Sequence, residues 1–426
     1  MTKLSYTKEL LDAGVIDQST AEKINAYFAN KSKQRPNLLL MIFGVLGASL
    51  IGMGILLIIG HNWDQFPKGL KTFLAFLPLL VGQGLCFYTL RKRPDSKTWR
   101  ESTSIFLGLS VPACLALISQ IYHLQGDLAS FLFICLLLAL PIVYVMNSST
   151  TSLLYWFGTL VFAFSAYSTS YELSGLLKYI LLIVLASPFA VYLFLKKSNH
   201  NATILHSWMI PFSLLAGLNL GVIHEASYAP LFFMSLLSVL YMVGYLKPMK
   251  KQEVFKSGFV VIGSVGTVIA LLLFTYYDFW KSVEERVILF TNDQLLSIIS
   301  ISVVFLLACF LLFYHRQQKS LDTSAPIKWV FIAFAIIYGI GTMHALTATL
   351  LINFLLLAIG VFTILAGVKR DHLGILNYGL IIISALIFLR FIDANISFII
   401  RGLLNIAVGL AFFYANYKLI KKRKAQ

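Results

Sequence analysis

The residues best suited to chemistry lie near the C-terminus, where two arginines flank an acidic residue. Arg390 precedes Asp393, and Arg401 lies in the first turns of an apolar run from 396 to 418. A helix N-terminus carries unsatisfied N–H groups, and guanidinium groups beside it favour a phosphate or carboxylate. Asn405 lies one turn after Arg401 and would orient such an anion. Alternatively, Asp393 caps the helix and pairs with one arginine, which leaves the other a structural role.

A second set of polar residues falls at two short connections nearer the N-terminus. Asp64 lies between two apolar runs, and Tyr122 and His123 end a third. These residues would line the approach to the arginines or, in an enzyme, act as general acid or base. No second acid stands beside Asp64, and no HxxxH, HExxH, GxSxG or Walker spacing occurs. The sequence therefore predicts no catalytic residue, no metal site and no cofactor.

The elements that must position these residues are fourteen apolar runs of roughly 20 residues each, the length that crosses a bilayer as a helix. They cover approximately 37–60, 69–90, 102–122, 127–146, 150–170, 173–195, 204–223, 228–246, 255–277, 294–314, 327–345, 347–368, 372–391 and 396–418. The chain has 426 residues, of which 58% are hydrophobic and 12% charged. We predict an all-α, polytopic membrane bundle of about 14 transmembrane helices, with little room for a soluble catalytic domain.

The basic residues predict how this bundle is oriented. Of the 34 lysines and arginines, the outward connections and helix ends hold only Lys68, Lys71, Lys178, Lys281, Arg286, Arg390 and Arg401 if the N-terminus is cytoplasmic. The positive-inside rule then places both termini in the cytoplasm and both polar sets on the outer side. The net charge of +16 spreads along one membrane face, which favours membrane lipids as partners and argues against nucleic acid.

Two further segments are predicted to lie outside the bilayer core. Residues 1–36 form a cytoplasmic amphipathic segment of two short helices, and Ser19 to Glu22 has the spacing of a capping box. Residues 278–293 have the pattern of a short helix in the outer interface, or of a solvated loop. The bilayer interior of these runs contains no Asp or Glu, which argues against an ion-coupled carboxylate relay. Their mid-helix amides, Gln83, Asn219, Asn353 and Asn377, favour hydrogen bonds between helices.

Two groups of motifs resemble a known family, the bacterial membrane proteins of domain of unknown function 2157. The first group is the amphipathic segment from Leu10, then Gly44, Gly47, Gly52, Gly54, Asn62, Trp63, Asp64, Lys71, Gln120, Ile121, Tyr122, His123 and Asp127. The second is Arg390, Phe391, Asp393, Ser397, Arg401, Gly402, Gly409 and Asn416, similar to the end of the longer members. The resemblance implies a multi-pass protein of the bacterial cytoplasmic (inner) membrane with no established biochemical activity. The chain then divides into 1–36, four spans with family-like motifs over 37–150, generic spans over 151–346 and the C-terminal spans and basic tail over 347–426.

Three functional hypotheses follow from these residues. The leading one is a transporter or flippase-like protein that binds an anionic amphipathic substrate through Arg390, Arg401 and Asn405. The second is a structural or regulatory protein that recruits a cytoplasmic protein partner through residues 1–36. The third is a membrane-embedded transferase that uses Asp64 or His123, and the residue pattern favours an enzyme least.

Overall fold

The structure is a computed structural model that describes most of the chain. The described residues are 7, 10–33, 50, 63–169, 173–197, 200–221, 228–247, 249, 256–285, 295–318, 326–393, 399, 402, 403, 406, 409, 410 and 413. Their regular structure is helical, with no strand among them. The predicted all-α class is therefore confirmed for this part of the chain.

Fourteen α-helices have both ends inside the described ranges. They are α1 (Gln18–Lys33), α2 (Lys68–Lys92), α3 (Lys97–Tyr122), α4 (Leu128–Met146), α5 (Ser149–Thr169), α6 (Leu173–Lys196), α7 (Asn201–Leu218), α8 (Ala229–Val243), α9 (Gly258–Leu273), α10 (Tyr277–Glu284), α11 (Leu295–Gln318), α12 (Val330–Gly341), α13 (Ala345–Lys369) and α14 (Leu373–Asp393). Short 3₁₀ helices cover Trp63–Gln65, Asn219–Gly221 and Pro326–Trp329.

The number of membrane spans in the described residues is lower than the sequence predicted. Seven helices, α2, α3, α4, α6, α11, α13 and α14, are long and apolar enough to cross a membrane, and the bent pair α9 and α10 would make eight. The prediction of about 14 spans was too high for this part of the chain. α8 and α12 are short, α9 stops at Leu273, α5 is rich in hydroxyl side chains, and α7 has 18 residues that include Asn201 and His206. The predicted runs 37–60 and 396–418 lie outside the described residues, apart from a few single positions.

Residues 1–74 form one compact unit. Within it, Asp17 precedes α1 and accepts hydrogen bonds from the Ser19 hydroxyl at 2.7 Å and the Thr20 N–H at 3.3 Å. The helix therefore begins with Asp17 as its cap, and the predicted capping box at Ser19 was displaced by two residues. The Lys71 ammonium lies 5.8 Å from the centre of the Trp63 ring.

Residues 75–426 form the second compact unit, in which α4 to α14 share one large apolar core and a smaller cluster joins α2, α3 and α4. In this unit α3 packs on α4 and α5, α5 on α7, α7 on α9, α8 on α9 and α11, and α13 on α14. Glycine allows the closest approaches: a Cβ on Gly263 would lie 2.5 Å from the Tyr241 nitrogen of α8. Such small-residue contacts let helix backbones meet in a bilayer, where packing rather than apolar burial drives association.

The helix predicted over 278–293 is present in a shorter form, α10, and residues 286–293 are not described. It turns 77° from α9, so the predicted continuous run 255–277 is in fact broken. Trp280 of α10 is completely buried and its indole N–H donates to the Phe274 carbonyl at 2.7 Å. The outer-interface prediction is thus modified: α10 is anchored in the protein core by its tryptophan.

Candidate functional site

The turn between α3 and α4 is built by two local backbone features. His123 ends α3 in the left-handed conformation, with φ of 51°, and its N–H donates to the Ser119 carbonyl. Asp127 then starts α4, because its carboxylate accepts from the Ser130 N–H at 2.7 Å and the Ser130 hydroxyl at 2.9 Å. This tight hairpin leaves the facing sides of the two helices open to form a groove.

The groove has a volume of about 690 Å³. Its lining combines apolar and polar side chains: Leu115, Ala116, Ser119, Gln120, Leu124, Gln125, Gly126, Asp127, Leu128, Ser130, Phe131 and Ile134. The apolar members lie along the two helices, whereas the amides and the carboxylate cluster at the hairpin. A volume in the range of small-molecule pockets, with an apolar wall and a polar end, suits an amphipathic ligand.

The polar end of the groove carries a fixed negative charge. The two hydrogen bonds from Ser130, backbone first, lower the pKa of Asp127 below its ordinary value, and the positive charge of Lys178 lowers it further. Lys178 lies on α6, with its ammonium 5.8 Å from the centre of the Phe133 ring. The Lys178 ammonium therefore acts electrostatically on Asp127, although it is not among the residues that line the groove.

Tyr122, His123 and Asp64, which were predicted to line the approach to the arginines, do not lie in the groove. Tyr122 and His123 are exposed at the hairpin, but neither lines the groove. Asp64 is exposed in the 3₁₀ helix of the first unit. A transferase role for Asp64 or His123 stays a prediction, in which Asp64→Asn would abolish turnover while leaving substrate affinity nearly intact.

The structure describes only part of the predicted arginine site. Arg401 and Asn405 lie outside the described residues, and Asp393 is the last residue of α14. α14 packs on α13 and α9, whereas α3 and α4 pack on α5 and on each other. Arg390 and the hairpin residues therefore belong to different helix neighbourhoods.

Arg390 contacts the break between α9 and α10. Its guanidinium donates to the Thr275 hydroxyl at 3.0 Å and lies 4.9 Å from the centre of the Tyr276 ring. The Asn353 amide donates to the Thr275 carbonyl at 3.1 Å. Together these contacts and the Trp280 bond satisfy backbone and hydroxyl groups that a broken helix would otherwise leave without partners. Arg390 thus has protein partners, and anion binding by it stays a prediction.

Sequence reasoning missed a polar network around Glu101 of α3. Its carboxylate accepts from the Ser148 hydroxyl at 2.5 Å, from the backbone N–H groups of Ser149 at 3.1 Å and Thr150 at 3.0 Å, and from the Thr150 hydroxyl. The neighbouring Arg100 donates to the carbonyl of Met146 at 2.8 Å. Glu101 therefore caps the N-terminus of α5 from another helix.

A serine–histidine pair continues this polar region. The His206 ring of α7 lies 2.9 Å from the Ser152 hydroxyl through Nε2 and 2.7 Å from the Ala202 carbonyl through Nδ1. This distance would suit a nucleophile and its base. However, His206 is 0% exposed and Ser152 2%, and Glu101 bonds elsewhere, so the pair joins α5 to α7 and does not meet substrate.

The sequence contains one feature that marks the polar network around Glu101. Ser148, Ser149, Thr150, Thr151 and Ser152 form an uninterrupted hydroxyl run at a tight turn without a basic residue. Such a run between two apolar segments offers many donors and therefore favours a nearby acceptor. Among the described residues, no group of three or more His, Cys, Asp or Glu side chains has metal-site spacing.

This fold, with its apolar helices and internal polar caps, is that of a multi-pass α-helical membrane protein. A family model described as "Predicted membrane protein (DUF2157)" matches residues 8–152. The match confirms the resemblance seen in the N-terminal motifs and includes both the groove and Glu101 with its partners. The C-terminal motifs lie outside the matched range. No curated protein and no solved structure matches the chain.

Proposed function

We propose that the protein is a transporter or flippase-like protein that binds an amphipathic lipid in the groove between α3 and α4. The observation that carries the proposal is the groove itself, which joins an apolar wall to a polar end within a volume of about 690 Å³. Leu115, Phe131 and Ile134 would contact the acyl chain. The amides of Gln120 and Gln125 would bond to the head group.

The charges at the polar end favour a zwitterionic head group. Asp127 would bind an ammonium group, and Lys178 nearby would bind the phosphate. An anionic head without an ammonium would meet the Asp127 carboxylate at close range, which is unfavourable in a site of low dielectric constant. The groove therefore modifies the substrate class expected from the arginines alone. Phosphatidylethanolamine has the required combination of charges.

Bulk placed in the groove tests this proposal. In Ala116→Trp the indole would occupy the groove, whereas Ala113→Trp, one turn earlier on α3, adds the same bulk at an exposed position outside the lining. Both variants would be reconstituted in nanodiscs of phosphatidylethanolamine and phosphatidylglycerol, and retained lipid measured by native mass spectrometry. We expect the parent and Ala113→Trp to retain phosphatidylethanolamine and Ala116→Trp to lose it. Equal retention by all three folded proteins would refute the groove as the binding site.

In a narrower alternative, the substrate is anionic and binds to Arg390 and Arg401. The Arg390→Ala, Arg401→Ala double variant then loses an anionic lipid that the parent retains on purification. Because Arg390 also contacts Thr275 and Tyr276, the variant must first match the parent in gel filtration and melting temperature. Identical lipid adducts in both proteins would leave the arginines with a structural role.

Recruitment of a cytoplasmic protein by residues 1–36 is the second candidate function. The side chains of Leu10 and Val15 are 41% and 66% exposed, which suits a protein contact. Deletion of residues 1–33 separates the two functions, because a transporter would keep its lipid whereas a recruiter would lose its partner.

A further inference from the structure

The hairpin between α2 and α3 meets the hairpin between α6 and α7. The Lys97 ammonium, at the start of α3, lies 2.8 Å from the Nε2 atom of His200, which precedes α7. Both turns are fixed by backbone hydrogen bonds: the Ser96 N–H donates to the Arg93 carbonyl at 3.1 Å, and the His200 N–H donates to the Lys197 carbonyl at 3.0 Å. Two residues 103 positions apart in the chain are therefore neighbours, at the end of α3 that lies away from the groove.

The His200 ring faces more hydrogen-bond donors than it can accept. Its Nδ1 atom accepts the Ala202 N–H at 3.3 Å and so caps α7, while its Nε2 atom faces the Lys97 ammonium. A neutral imidazole carries a proton on one nitrogen and can accept only at the other. If Nδ1 caps the helix, the Nε2–H and the ammonium are two donors that face each other. An anionic oxygen beside the pair would accept from both and leave Nδ1 to cap α7.

The surface around this pair is strongly basic. Six lysines and arginines lie in the two hairpins or at the adjoining helix ends, and all six are exposed: Arg91, Lys92, Arg93, Lys97, Lys196 and Lys197. The acidic residue of these hairpins is Asp95, and within the described residues neither it nor the six cations form an ion pair. Glu101, the next acid along α3, is already bonded to Ser148 and Thr150. The six cations therefore give the two hairpins an uncompensated positive charge.

Aromatic side chains place these cations at the depth of lipid head groups. Tyr88 and Trp99 lie on the two sides of the first hairpin, are 44% and 41% exposed, and have ring centres 5.8 Å apart. Tyr192 lies one turn before Lys196, and the Lys197 ammonium is 5.5 Å from the centre of its ring. Exposed tyrosine and tryptophan are typical of the membrane interface, and long basic side chains beside them reach the head groups. A phospholipid phosphate is therefore the anion available at this depth.

We propose that the two hairpins bind the phosphate of an anionic phospholipid in the adjoining leaflet. One phosphate oxygen accepts from the Lys97 ammonium and from Nε2–H of His200, and the surrounding cations offset the negative charge. Because Asp95 is the acid of these hairpins, a head group without an ammonium, such as phosphatidylglycerol, is favoured over phosphatidylethanolamine. This preference is the opposite of the one proposed for the groove, where Asp127 would bind an ammonium. The hairpin site is independent of the groove.

Substitutions at the pair test the proposal in the whole protein. Nanodiscs with equal amounts of phosphatidylglycerol and phosphatidylethanolamine would be used, and the lipid retained by the protein measured by native mass spectrometry. Lys97→Gln removes the ammonium, and His200→Asn removes the ring but keeps a good helix cap. Lys369→Gln, at an exposed lysine that ends α13, is the matched control for a lost positive charge. We expect the retained ratio of phosphatidylglycerol to phosphatidylethanolamine to fall about tenfold in each hairpin variant and to stay unchanged in the control.

The outcomes separate a defined site from general attraction to basic residues. Lys97→Arg keeps the charge and should keep the lipid. Equal losses in Lys97→Gln and Lys369→Gln, or no loss in folded His200→Asn, would show that the pair does not bind the phosphate, and the proposal would be wrong. The groove variant Ala116→Trp should retain phosphatidylglycerol. Its loss there would assign this lipid to the groove and overturn the hairpin site.

Discussion

Glu101 joins two chain segments that are 47 to 49 residues apart. The first N–H groups of an α-helix have no partner within the helix, and anionic side chains there also interact favourably with the helix dipole. In most helices a residue just before the first turn supplies this cap. Here α3 supplies it to α5, so the cap also fixes how the two helices pack.

Removing the Glu101 carboxylate should therefore destabilise the protein. Glu101→Ala leaves the N–H groups of Ser149 and Thr150 and two hydroxyls without their acceptor. We expect a loss of roughly 2 to 4 kcal/mol in the free energy of unfolding, measured by titration with sodium dodecyl sulfate. Glu101→Gln keeps one acceptor oxygen and should lose less.

Asp95→Asn is the matched control for this loss of charge. Asp95 is exposed and lies two residues before α3 begins at Lys97, and its substitution should change stability by less than about 0.5 kcal/mol. Equal effects of Asp95→Asn and Glu101→Ala would show that the hydrogen bonds to Glu101 contribute nothing specific.

At the scale of helices, the break between α9 and α10 depends on side chains from α13 and α14. A turn of 77° exposes backbone carbonyls, and each must find a donor if it lies in a bilayer. The Trp280 indole N–H of α10 donates to the Phe274 carbonyl, and the Asn353 amide of α13 donates to the Thr275 carbonyl. Discontinuous helices of this kind occur at the substrate sites of many transporters, which makes this break relevant to the proposed function by analogy.

Asn353→Leu should weaken this junction. The substitution leaves the Thr275 carbonyl without its side-chain donor and should cost about 1 to 2 kcal/mol of unfolding free energy. Asn377→Leu on α14 is the comparison, because the Asn377 Oδ1 atom is buried without a hydrogen-bond partner among the described residues. That variant should be neutral or stabilising, and a larger loss there than at Asn353 would contradict the assignment.

The start of α4 predicts a dependence on pH. Hydrogen bonds from Ser130 hold the folded-state pKa of Asp127 below its ordinary value of 3.8. A depressed pKa contributes stability above the unfolded-state value, and that contribution is lost as the pH falls through the folded-state pKa. The difference in melting temperature between the parent and Asp127→Asn should therefore be constant above about pH 5 and shrink below pH 4. Asparagine is also a good cap, so a difference that is independent of pH would exclude a role for the charge.

The sequence predicted the helices well and their interruptions poorly. Apolar length alone identifies α2, α3, α4, α6, α11, α13 and α14, because a bilayer selects long helices directly. The break after Leu273 depends on Asn353 and Arg390, which are distant in sequence, so hydropathy within the run could not reveal it. Glu101 was missed for a similar reason. It lies in one predicted connection between apolar runs, and its partner Ser148 lies in a different connection.

The candidate sites show the same limit. The Gln120 to Asp127 hairpin was recognised from its motif, but the groove beside it also needs Leu115 and Ile134, which read as generic apolar residues.

For the whole molecule, hydrogen bonds and other polar contacts join helix ends that the sequence predicts to lie on the same side of the membrane. Lys97 lies 2.8 Å from His200, and Ser207 bonds to the Lys256 carbonyl, and all four residues belong to predicted inward ends. On the predicted outward ends, the Ala345 N–H donates to Glu284 at 3.2 Å. These contacts are compatible with alternation of the connections, but which end faces the cytoplasm stays a prediction from basic residues.

Cysteine labelling in intact cells tests the orientation. Cys86, Cys114 and Cys135 are buried and Cys309 is half-buried, so replacing all four with alanine removes the native thiols without altering an exposed surface.

Single reporters are then placed at Gly126 and Met343 on the predicted outer side, and at Asp95 and Lys369 on the predicted inner side. All four positions are exposed, and a Cβ at Gly126 meets no atom within 4 Å. A membrane-impermeant maleimide should label Gly126→Cys and Met343→Cys in intact cells, and Asp95→Cys and Lys369→Cys only after lysis. The reverse pattern at all four would invert the molecule and place the lipid groove on the cytoplasmic side. Different sides for Gly126 and Met343 would instead show that the number of crossings between them is odd, which would refute the predicted alternation itself.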